Sequence, residues 1–179
     1  MDIDVRNLST NYFEIFRLPV GFDIDEKLLA TRFYELQQKF HPDHWINKSA
    51  TEKKFFLERC ALINKAWQVL RKSFSRSEYL LSLYGFNICN EQSCTDIRLL
   101  KEQLELREEC EKVEQELNEV RLNNFVRKID NLISTFTIQI EKEMGSQQWK
   151  SAVNTLQKLK FLNKLRHHLD ELENRFFDF

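Results

Sequence analysis

Residues that turn a chain are nearly missing here: 179 residues include only three glycines and two prolines. Turns must therefore be scarce, and with Leu, Glu, Lys, Gln and Phe abundant the expectation is an all-helical chain. An excess of either charge is missing too, since 27 basic side chains face 28 acidic ones. Without a basic surplus there is no broad electrostatic attraction to phosphate, so no nucleic-acid partner is expected. No run approaches the ~20 apolar residues of a membrane-spanning helix. The opening stretch MDIDVRNLST carries acids and no apolar run, unlike a secretory signal or an Arg-rich transit peptide. These absences predict a cytoplasmic protein that engages no membrane.

Four cysteines, Cys60, Cys89, Cys94 and Cys110, form no C-x-x-C pair, and no His-x-His arrangement accompanies them. Neither a metal site nor a cofactor is expected, and the cysteines read as reduced thiols. Cys60 and Cys110 fall on apolar helical stripes, where a buried thiol behaves as a small hydrophobe. Cys89 and Cys94 lie in a polar connector.

Apolar spacing then marks out the helices. Asn11 to Leu18, NYFEIFRL, reads as a short helix that stops at Pro19-Val20-Gly21. Asp23 or Asp25 can cap a second, in which Leu29, Phe33, Leu36 and Phe40 recur at four, three and four. Pro42 closes it, because proline pushes its predecessor out of the α region and lacks an amide hydrogen. After the polar loop DHWINKSA, a third helix runs from Thr51 to Leu70 with Phe56, Cys60, Ile63, Trp67 and Leu70 on one stripe. Two helices of this kind joined by a tight turn form an antiparallel hairpin. A further piece starts at Ser75 and ends at Gly85, a residue suited to a left-handed cap.

The turn of that hairpin reads KFHPDHW. His41, Pro42 and Asp43 stand at its tip, while Arg32 and Lys39 lie seven residues apart on a flank expected to stay accessible. Proline stiffens the backbone, Asp43 can accept a charge-assisted bond from a partner arginine, and His41 presents an imidazole. Read blandly, this is a helix stop beside a solvated face. Read as an acid–base or metal site, His41, Asp43 and His44 lack a second cluster, because His167 and His168 sit together on a distant helix. No catalytic residue is assigned. Short helix, basic helix, His-Pro-Asp loop and long third helix together resemble the J domain of DnaJ-type co-chaperones over Tyr12 to about Leu70. That resemblance implies docking of the loop on an ATPase of the DnaK class, whose hydrolysis it speeds.

Beyond the aperiodic connector FNICNEQSCT come three long helical runs, about 96–120, 123–143 and 147–177, with Gly145 punctuating the last turn. Leu162, Leu165, Leu169, Leu172 and Phe176 keep the three-and-four spacing of a bundle seam. In the first run Leu99, Leu106, Cys110, Val113, Leu117 and Val120 share one sector. Leu100 and Leu104 point the other way, with Glu108 and Glu111, and Glu105 borders them. An apolar pair among acids on a face the core does not use is a candidate docking patch, which an exposed Phe161 could complete. Packing of the same residues against the first domain is the competing reading, since wheel phase drifts along a helix.

SRSEYLLSLYGF, EQLELREE, LKFLNKLR and the terminal FFDF, in this order, resemble the HscB-type J-domain co-chaperones of iron–sulphur cluster assembly across nearly the whole chain. The resemblance implies an HscA/DnaK-class chaperone as one partner and the cluster scaffold protein IscU as the other. It carries scaffold binding onto Leu100, Leu104, Glu105, Glu108 and Phe161. Lys101 stands where relatives often have methionine and Lys112 where an acid is usual, which makes the patch smaller and less negative. The expected architecture is L-shaped: a J domain over 1–74, a transitional helix and connector over 75–94, and a three-helix scaffold-binding domain over 95–179. From a different class, the alternative is a helical structural or assembly protein with no chaperone role.

Overall fold

Helices begin in this protein where a side chain takes over an amide that the first turn leaves unsatisfied. The structure, a computed structural model, describes residues 11–41, 43, 45, 48–86, 97–116 and 118–177. Asn11 accepts from the Phe13 amide (2.9 Å) to open α1, Tyr12–Ile15. Asp25, rather than Asp23, caps α2, Glu26–Lys39, through the Leu28 amide at 2.9 Å. A reciprocal box opens α3, Ala50–Leu70: Ser49 Oγ accepts from the Glu52 amide and Glu52 Oε2 accepts from the Ser49 amide. The S-x-x-E spacing of Ser49 and Glu52 signals that start one residue ahead of the expected Thr51. The remaining helices are α4, Ser73–Leu83; α5, Ile97–Glu116; α6, Glu119–Gly145; and α7, Trp149–Phe177. Among the described residues there is no strand, so the fold is all-α.

Helix ends depart further from the expectations. Asn118 caps α6 by accepting from the Arg121 amide at 3.1 Å, so the fifth helix stops at Glu116. Val120, expected in its core stripe, belongs instead to α6 and is 69% exposed. Gly85 does adopt the left-handed conformation, with φ 82°. At the α6–α7 turn, however, the left-handed residue is Gln147 (φ 57°), while Gly145 remains helical. The Gln148 amide then reaches back to the Glu143 carbonyl at 2.8 Å, closing a Schellman-type turn.

By contacts the chain divides into Met1–Leu80 and Leu81–Phe179. In the first unit α2 and α3 bury Leu29, Phe33, Leu36, Ile63, Ala66 and Leu70. The Phe33 and Trp67 rings stack at 4.5 Å. α1 lays Phe13 and Ile15 into the same core, and Tyr12 stacks on Tyr79 of α4 at 4.3 Å while donating its amide to the Tyr79 hydroxyl. In the second unit α5, α6 and α7 enclose Cys110, Val113, Phe125, Ile129, Leu162, Leu165, Leu169 and Leu172. Leu99, Cys110 and Val113 are buried and Leu106 half-buried, as their sector predicts. Leu117, the connector with Cys89 and Cys94, and the side chain of Phe176 lie outside the described residues, as does the end of the FFDF stretch.

Candidate functional sites

The tip of the hairpin is held from beneath by Phe40. This residue ends α2, its ring is 1% exposed, and its carbonyl has lost the helical partner that Pro42 cannot supply. Two donors take that carbonyl: Trp45 Nε1 at 3.0 Å and Cys60 Sγ at 3.2 Å. Trp45 is buried and stacks on Phe56 at 5.8 Å, while Phe40 meets the same ring edge-on at 5.9 Å. An aromatic within an otherwise polar loop was the only sequence signal for this anchor. Burial pushes the Cys60 thiol above its ordinary pKa, so it serves as a donor and not as a thiolate.

Above the anchor the polar side chains face outward. His41 and Asp43 have side chains 57% and 74% exposed, with His41 Nδ1 lying 3.3 Å from Asp43 Oδ2. The Asp43 amide also lies 3.4 Å from that nitrogen. An unprotonated Nδ1 accepts from the amide, and a protonated one donates to the carboxylate, so the pair stays preorganised in either state. Pro42 and His44 lie outside the described residues. Lys39 is exposed. Arg32 is not the accessible cation that its position on the wheel suggested: it is half-buried, and its guanidinium donates to the carbonyls of Phe16 and Arg17. The cause is the end of α1, where Arg17 turns left-handed at φ 51° and leaves carbonyls without helical partners.

On α5 the second stripe is exposed, with Leu100 and Leu104 at 48% and 57% beside exposed Glu105, Glu108 and Glu111. Lys101 Nζ lies 3.9 Å from Glu105 Oε1, so one acid of the patch is already faced by a cation. Phe161 differs from its expectation. It is half-buried against the core, with the Arg107 guanidinium 5.4 Å from the centre of its ring. With Glu105, Leu132 and Phe136 it lines a cavity of about 400 Å³ between α5 and the α6–α7 pair. Ion pairs Lys158–Glu102 (2.7 Å) and Lys128–Glu109 (2.6 Å) reach from α7 and α6 to α5 around it. The structure thus gathers Glu105 and Phe161 on one groove, whereas Leu100, Leu104 and Glu108 are not part of its lining. His167 is exposed near Glu171, and His168 pairs with Glu114 across helices at 3.7 Å. Among the described residues no group of His, Cys, Asp and Glu could hold a metal ion, and no helix is long and apolar enough to cross a membrane.

Residues 95–170 match the family model described as the HSCB C-terminal oligomerisation domain. Over 93% of its length the chain is similar to the chaperone HscB from Vibrio cholerae, with 34% identity, 99% of that chain covered and a TM-score of 0.76. The human co-chaperone protein HscB shares the fold at 24% identity and a TM-score of 0.79, covering 91% of this chain and 82% of that one. So does the Jac1 co-chaperone from Saccharomyces cerevisiae, at 20% identity and 0.72, covering 93% and 95%. A helical hairpin with His and Asp held outward at its turn, followed by a three-helix unit, defines a J-type co-chaperone. Members of this class are not themselves enzymes. The chain belongs to the HscB family, the J-type co-chaperones of iron–sulphur cluster assembly.

Proposed function

We propose that this chain stimulates ATP hydrolysis in an HscA/DnaK-class chaperone through His41, Pro42, Asp43 and Lys39, and delivers to it an IscU-type scaffold protein. Leu100, Leu104, Glu105, Glu108 and Phe161 hold the scaffold, and the cluster travels on the scaffold as cargo. Arg32 contributes from behind, by fastening α1 to α2 beneath the chaperone-facing surface. Joining the two activities in one chain raises the scaffold's local concentration beside the chaperone. Both partners then share one compartment, the cytoplasm.

The observation that carries the reading is the outward exposure of His41 and Asp43 above a loop pinned through Phe40 and Trp45. Steady-state ATPase of the chaperone, measured with wild type and His41→Gln, tests it. Stimulation disappears in the variant while helicity is kept, because an exposed loop residue adds little to stability. Equal stimulation by both proteins ends the chaperone half of the reading. Leu100→Ala with Leu104→Ala, both exposed, tests the scaffold half in a pull-down with the scaffold protein. Undiminished capture would retire it.

A further inference from the structure

The outward side of α2 has no net charge to steer an encounter. Lys27 and Lys39 are exposed, but so are Glu26 and Glu35, and Arg32 is drawn inward to the carbonyls of Phe16 and Arg17. Opposite charges so closely interspersed cancel within a Debye length. What this side does offer is Tyr34, which is 62% exposed although it is large and mostly apolar. Phe33 braces its ring at 5.7 Å, and Phe33 is itself fixed by stacking on Trp67. Tyr34 lies seven residues before His41, two turns back along the same side of the helix.

Tyr34 and His41 line one cavity of about 400 Å³ between α2 and α3, with Phe40, Cys60 and Ile63 as its apolar floor. Gln37 Nε2 donates to Asn64 Oδ1 at 3.3 Å across it. Apart from His41 the lining holds amides, an aromatic phenol, a thiol and hydrocarbon, so no fixed charge waits there for a counter-ion. A charged insert would be desolvated without compensation, whereas an uncharged apolar one fits. The cavity is continuous with the loop that carries His41, so an occupant of one touches the other.

We infer that Tyr34 and this groove are the chaperone's main hold on α2, receiving an uncharged apolar side chain of the ATPase beside His41, through burial rather than charge. The inference rests on the reading of His41-Pro42-Asp43 as the ATPase-stimulating loop. Full-length variants titrated against the HscA/DnaK-class chaperone test it by the concentration that gives half-maximal stimulation. Tyr34→Ala raises that concentration about tenfold with the plateau kept, the loss typical of an aromatic interface anchor. Tyr34→Phe stays within about threefold, since the ring and not the hydroxyl is buried. Asn64→Arg, which places a charge at the groove, weakens half-stimulation to a similar degree. For wild type the value moves less than about threefold between roughly 50 and 300 mM salt. Circular dichroism establishes that each variant is folded. A folded Tyr34→Ala and a folded Asn64→Arg that both match wild type overturn the inference, as does a steep salt dependence. If His41→Gln abolishes stimulation in the same assay, the loop reading stands regardless. If His41→Gln stimulates fully, loop and groove fall together.

Discussion

The Arg32 guanidinium donates to the carbonyl oxygen of Phe16, which ties the middle of α2 to the end of α1. A cation placed by helical phase on the docking flank is thereby made a structural clamp. Removing it strands a carbonyl at the end of α1 and frees a helix too short to persist alone. Arg32→Ala therefore lowers unfolding free energy by about 1–2 kcal/mol in urea denaturation. Lys39→Ala, at an exposed site, stays within about 0.5 kcal/mol of wild type. Equal stability of the two variants would contradict the clamp.

Trp45 anchors the loop in two ways, by its ring on Phe56 and by its indole N–H on the Phe40 carbonyl. Trp45→Ala is expected to cost about 3 kcal/mol, at the lower end for a buried tryptophan. Trp45→Phe keeps most of the stacking and loses the donor, so its loss is smaller, near 1 kcal/mol. Chaperone stimulation should fall in the same order, because the position of His41 depends on the anchor. Stimulation that is unaffected by Trp45→Ala in folded protein would show that the loop holds itself.

Glu52 responds to pH through the start of α3. Its bonds from the Ser49 amide and hydroxyl hold its carboxyl below the ordinary value of 4.5. A depressed folded pKa means the contribution is present above pH 4.5 and is lost as pH falls through the folded value. Denaturation midpoints of wild type should therefore drop on acidification through that window. Ser49→Ala and Glu52→Gln should each flatten this component; an unchanged acid limb in both variants would sink the assignment.

Gln147 occupies the left-handed position at the α6–α7 turn, where a side chain is disfavoured. Gln147→Gly relieves it and should stabilise the second unit by roughly 0.5–1 kcal/mol. Gly145→Ala, inside α6 with no atom within 4 Å of the added carbon, should also stabilise, by up to about 1 kcal/mol. Thermal melts of both variants check this, and a lowered midpoint for Gln147→Gly would contradict the turn geometry.

Lys101 faces Glu105 in an exposed pair, an arrangement worth only a few tenths of a kcal/mol. Lys101→Met extends the apolar strip of Leu100 and Leu104 and leaves Glu105 to the partner. Under the proposed scaffold reading, affinity for an IscU-type protein rises about fivefold, the equivalent of burying one more apolar side-chain portion. Calorimetric titration measures it, and unchanged affinity would place Lys101 outside the contact.

Helix identity and the two faces of α5 were determined by the sequence itself, because period and capping are relations among residues a few positions apart. Leu99, Cys110 and Val113 went inward and Leu100 and Leu104 outward as their phases require. The box of Ser49 and Glu52 was equally legible, though a start at Thr51 passes over it. Tertiary structure alone decided the rest. Arg32 found its acceptors 15 and 16 residues back, Phe161 settled half-buried beside a groove made by three helices, and Trp45 turned inward to a carbonyl left open by α2. A helical wheel assigns a direction but not what lies in it: the depth of burial and the partner of a long polar side chain depend on surfaces that exist only after the helices have packed.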